Sequence, residues 1–158
     1  MTPRGLPGLV ASGFVLATLA AACGGGTRLT KPELISRGDA ICKASQAKTD
    51  ELAGQLPDTT TQETLPTIAG VFGQILPVLR DTSHALHALK PPKEDEAAIK
   101  TWLDDFDRSV DQVDALQKAA ASGDPTAFNA ALDQGTALGD QADADATAYG
   151  FTVCGAAR

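Results

Sequence analysis

The run Ile99–Leu116, IKTWLDDFDRSVDQVDAL, decides the fold. Its apolar positions, Ile99, Trp102, Leu103, Phe106, Val110, Val113 and Leu116, recur every three or four residues, the spacing that places side chains on one face of an α-helix. Aspartates and other polar residues fill the opposite face. Upstream, Pro91-Pro92 makes a sharp stop, and Lys93-Glu94-Asp95-Glu96 loads the start of this helix with carboxylates, which favour the positive end of its dipole. Downstream the helix is expected to run to about Ala121. There Ser122-Gly123-Asp124-Pro125 ends it and begins the next, with Gly123 as left-handed C-cap, Asp124 as N-cap and Pro125 as first helical residue.

Working outward, the same pattern recurs three times. Thr30-Lys31-Pro32-Glu33 reads as a capping box opening a first helix, on which Leu34, Ile41, Cys42, Ser45, Leu52 and Leu56 share a face and which Pro57 is expected to close. After the polar loop Asp58–Gln62, the stripe from Leu65 through Ile68, Phe72, Leu79 and Leu86 to Leu89 predicts a second helix lasting to about Lys90. Pro77 inside it presses on the carbonyl of Gly73, so a bend is expected there and not a break. The fourth helix turns inward a smaller set, Phe128, Ala131, Leu132, Gly135, Leu138, Gly139, Ala142 and Ala146, with Tyr149 and Phe151 packing its end. Alanine is abundant, aromatics are few, and strand-length β-branched runs are missing beyond the N-terminal apolar segment. The expected fold is all-α, an antiparallel four-helix bundle.

Location is read from LVASGFVLATLAAACGGG, Leu9–Gly26. A short N-terminus carrying only Arg4, an apolar segment shorter than the ~20 residues of a membrane span, and small residues before Cys23 make up the anatomy of a signal peptide. Ala20-Ala21-Ala22-Cys23 also resembles a bacterial lipobox, in which the cysteine sulfur takes a diacylglycerol and the chain is cut just before it; Leu19 stands one position earlier than that pattern prefers. An ordinary signal peptide cut after an A-x-A site is the alternative. Residues 1–22 are thus expected to leave, 23–29 to form a lipidated cysteine and flexible tether, and 30–158 to fold.

Three cysteines are an odd number for an exported chain, and acylation of Cys23 leaves Cys42 and Cys154 with only each other as partners in an oxidising compartment. Their disulfide would tie the first helix to the C-terminal tail, which an antiparallel bundle allows; two separate buried thiols are the alternative. Losing Arg4 with the leader takes the formal charge from −7 to −8. That balance argues against nucleic acid and leaves the acyl anchor as the contact with the membrane.

Asp39-Ala40-Ile41-Cys42 and Tyr149-Gly150-Phe151-Thr152-Val153-Cys154, with Leu89-Lys90-Pro91-Pro92 and Ala120-Ala121-Ser122-Gly123-Asp124 between them, resemble a family of secreted and lipoprotein helical-bundle domains of actinobacteria. The resemblance spans nearly the whole mature chain and implies fold and extracytoplasmic location, with no activity attached.

Chemistry finds little support. His84 and His87, the two histidines, are spaced i,i+3 on the second helix, but His84 faces away from the apolar stripe and His87 sits at its edge; they are weak metal candidates and read as surface positions. No Glu-x-x-His, Cys-x-x-Cys-His, Gly-x-Ser-x-Gly or phosphate-cradling pattern occurs, so neither a metal, a cofactor nor an enzyme activity is expected. Asp104, Asp107, Asp111 and Asp114 on the third helix, with Asp133, Asp140 and Asp143 on the fourth, read as a solvated face. Asp39, next to the core, is expected to bond the C-terminal segment. Two functions follow. One is a membrane-anchored interaction or scaffold module meeting another envelope protein; the other is a small-molecule or metal-binding lipoprotein with a pocket near Pro77 lined by Phe72, Ile75, Trp102 and Phe106. An exposed apolar patch would favour the first, a cavity of a few hundred Å³ the second.

Overall fold

The computed structural model describes residues 27–156. Four helices account for most of them: α1 (Lys31–Ala53), α2 (Leu65–His87), α3 (Glu96–Ala121) and α4 (Pro125–Tyr149). Each packs against its sequence neighbour, giving the expected helical bundle, and no strand occurs among the described residues. The leader-like run and Cys23 lie outside the described residues.

Local signals set most of the helix ends. At α1, Thr30 Oγ1 accepts from the Glu33 amide at 3.4 Å while the Glu33 carboxylate accepts from the Thr30 amide at 2.8 Å. The two groups satisfy orphan donors reciprocally, and the bonds from Thr30 hold the Glu33 carboxyl below its ordinary value. At α4, Asp124 accepts from the amides of Thr126 and Ala127, and Gly123 and Gly150 take the positive φ angles, 70° and 116°, that close α3 and α4. Helix α2 runs unbroken through Pro77.

Four boundaries differ from the sequence expectation. Helix α1 ends at Ala53, four residues before Pro57: Gly54 caps it, and Gln55 and Leu56 bond back to Leu52 and Ala53 in a tight turn. Glycine is a poor helix former, and the residue before a proline avoids the α region, so the chain leaves the helix early. Helix α2 stops at His87, and Lys93–Asp95 is a separate 3-10 turn ahead of α3. Arg28 and Leu29, expected to belong to a tether, are docked: the Leu29 amide donates to Lys90 O at 2.8 Å, Leu29 is buried, and Arg28 reaches both Pro91 O and the Glu96 carboxylate.

The core has two parts. The larger gathers Leu34, Ile75, Trp102, Phe106, Ala146 and Phe151 with their neighbours; the smaller joins Leu65, Ile68, Leu116, Ala120 and Phe128 at the opposite end. On the inward face of α4, Phe128, Ala142 and Ala146 are buried, but Leu132, expected inside, is 42% exposed. At ~100° per residue it stands about 55° from the centre of that stripe.

The C-terminal tail closes the molecule. Cys154 and Cys42 form a disulfide with Sγ atoms 2.04 Å apart, as expected, linking the tail to α1. Asp39, three residues before Cys42, accepts from the amides of Thr152, Val153 and Cys154 and from the Thr152 hydroxyl, at 2.7 to 3.2 Å. Phe151 stacks on Trp102 with ring centroids 4.4 Å apart, and Tyr149 donates to Asp95 at 2.7 Å beneath the Lys31 ammonium. Burial, with the nearby Asp95 carboxylate, raises the Tyr149 pKa well above the ordinary phenol range.

Gly38 makes this closure possible. A Cβ there would lie 2.5 Å from Phe151 Cε1. Alanine would gain helix propensity of up to ~1 kcal/mol but must push the ring off Trp102, and overpacking of this kind costs ~1–3 kcal/mol. Gly38→Ala is therefore expected to lower the thermal midpoint by a few degrees. A melting curve unchanged or raised would show that the ring relocates freely.

Candidate functional site

Trp102 and Phe106 on α3 face the same interior, and Ile75 and Leu79 on α2 pack against them. Three of the side chains expected to line a pocket, Ile75, Trp102 and Phe106, are thus buried in the main core, while Phe72 is half-buried and meets Phe128 at a centroid distance of 6.4 Å. Of these four, Phe106 alone lines the cleft that the structure presents.

That cleft lies between α3 and α4. It is a groove of about 250 Å³, open to solvent, with Leu79, Phe106, Val113 and Leu116 on one side and Leu132 and Ala142 on the other. Gly135 and Gly139 on α4 also line it. Gly135 is a true close approach, since a Cβ would come within 3.2 Å of Gln112 Cγ. Gly139 is different: a Cβ there would meet nothing within 4 Å. A glycine inside a helix costs up to ~1 kcal/mol relative to alanine, and no neighbour requires this one. It contributes no side chain to the groove's wall.

The groove's polar atoms share one character. Ser109 Oγ donates to Phe106 O at 2.7 Å and Thr136 Oγ1 to Leu132 O at 3.0 Å, so both hydroxyl protons are used within their own helices. Their oxygens, with the carboxylates of Asp140 and Asp143, face the groove as acceptors. No lysine, arginine or histidine lines it. A second shallow depression, running toward Gly155, shares Asp140 and Asp143 with the first, so the two carboxylates stand where the hollows meet.

Other acidic residues are engaged elsewhere. Asp107 accepts from Ser83 Oγ at 2.5 Å and pairs with His87 at 2.9 Å; Asp104 pairs with Lys100 and Asp114 with Lys118. The structure therefore separates the two histidines, His87 pairing with α3 and His84 lying exposed on α2. Among the described residues no group of three or more potential metal ligands converges. Asp105 escaped the sequence reading. It is 5% exposed, and the Arg108 guanidinium against it, with Asp145 in hydrogen-bond reach, holds its carboxyl below the ordinary range despite burial. Its i,i+3 spacing from Trp102 was the available sign that it lies on a flank facing α4.

No family, no curated protein and no solved structure matches the chain.

Proposed function

We propose that this chain is an exported, lipid-anchored helical domain that holds a small ligand in the α3–α4 groove on the outer face of the membrane. The groove carries the reading: a largely apolar cleft of about 250 Å³, lined on α4 by Gly139, where a side chain would enter open space. In favour of export is the disulfide, a bond that persists in oxidising compartments and leaves Cys23 as the cysteine available for acylation. No described helix is long and apolar enough to cross a membrane. The interaction-module reading would rest on a broad exposed apolar patch. Among the described residues Leu132 is the large apolar side chain left exposed, and it belongs to the groove.

Native mass spectrometry of the protein recovered from its own cell envelope tests both halves. The expected spectrum shows a chain beginning at an acylated Cys23 with one small molecule bound. A free Cys23 thiol would overturn the anchor. A co-purifying protein with no small ligand would turn the reading to a scaffold that meets another envelope protein.

A further inference from the structure

We infer that the ligand of the α3–α4 groove is a slender apolar cation, an alkyl- or arylalkylammonium whose chain lies between the helices and whose head meets Asp140. This rests on the groove reading above and adds the ligand's shape and charge. Shape follows from the dimensions. The lining part of α4, Leu132 to Asp143, spans roughly 16 Å at ~1.5 Å per residue, and the groove holds about 250 Å³. The resulting cross-section, on the order of 15 Å², is far below the ~80 Å² that a helix of ~10 Å diameter needs. A partner helix could seat no more than a few side chains in it, whereas a single slender chain matches its scale.

Charge follows from the hydrogen-bond inventory. Every polar side chain that lines the groove offers oxygen lone pairs: Ser109 and Thr136 have spent their protons on backbone carbonyls, and Asp140 and Asp143 are carboxylates. An anionic or purely accepting head would find no donor among these side chains. A primary ammonium supplies three donors and a positive charge. No hydrogen bond or ion pair to another described residue engages the exposed Asp140, which leaves its carboxylate available at the groove's end. The apolar walls contribute affinity through burial of the chain, and the carboxylate decides between heads of equal length.

The test uses full-length protein in lipid nanodiscs, with the leucine methyl signals followed by NMR during titration with hexylammonium and, separately, 1-hexanol. Expected is a saturable shift of the Leu132 and Leu79 methyls, with at least tenfold tighter binding of hexylammonium. Asp140→Asn should close that gap. Gly139→Leu should fill the groove and abolish both sets of shifts without lowering the melting temperature, because its Cβ enters open space. Equal affinities for amine and alcohol, or a gap unchanged in Asp140→Asn, would overturn the cation while leaving a ligand groove. No saturable shift with either probe would overturn the groove itself.

Discussion

Replacing Cys42 and Cys154 together by alanine is expected to lower the thermal midpoint of this domain by on the order of 15 °C. The bond spans 112 residues, almost the whole folded chain. In the chain-entropy treatment a loop of about a hundred residues is worth ~4.7 kcal/mol through restriction of the unfolded ensemble, and removal of native disulfides from small domains costs ~2–5 kcal/mol. At this size each kcal/mol moves the midpoint by roughly 3–5 °C. Calorimetry of the oxidised protein and the double variant measures the difference. A drop under about 3 °C would mean that Asp39 and Phe151 hold the tail unaided.

Asp39→Ala is expected to cost about 2–3 kcal/mol at neutral pH, because one carboxylate receives three backbone amides and a hydroxyl. The amide of Cys154, on a buried residue, is the one least able to turn to water. The bonds also set a pH dependence. Burial pulls the Asp39 carboxyl upward, but the Thr152 hydroxyl and the amides of Val153, Thr152 and Cys154 together outweigh it and hold the pKa below its ordinary value. A carboxyl lowered in the folded state contributes stability in full above the unfolded value near pH 4, and loses it as pH falls through the folded value. Urea unfolding at pH 7 and pH 2.5 should therefore show the gap between wild type and Asp39→Asn narrowing from the first to the second. An equal separation at both would refute the linkage.

Because disulfide and carboxylate hold the same segment, their costs should not add. Once the tail is free of Cys42, the amides of 152–154 have little reason to stay near Asp39, and the double perturbation should cost less than the sum of its parts.

Much of this arrangement was legible from residue order. Caps are local, so Thr30, Gly123, Asp124 and Pro125 announced their helix ends, and the i,i+3 relation between Asp39 and Cys42 already placed a carboxylate beside the bridge. The groove was not legible. Its existence depends on how far α4 stands from α3, and helical periodicity records which face a residue takes but not the gap that face leaves. Leu132 shows the difference: its spacing fitted the inward stripe, and a few tens of degrees put it at a rim. Gly38 was silent for the same reason, since a ring from residue 151 fills the space its side chain would take. Arg28 and Leu29 looked like spacer because their partners, Lys90 and Glu96, lie more than sixty residues away.

The disulfide has one more consequence, for shedding. The α1–α2 connection, residues 54–64, is largely exposed and suits a protease. A single cut there leaves α1 as a separate peptide, but Cys42 still binds it to Cys154 in the larger fragment. A domain held at its N-terminus would stay in place after that cut. If the N-terminus is anchored as proposed, release by this route takes both a protease and a reductant.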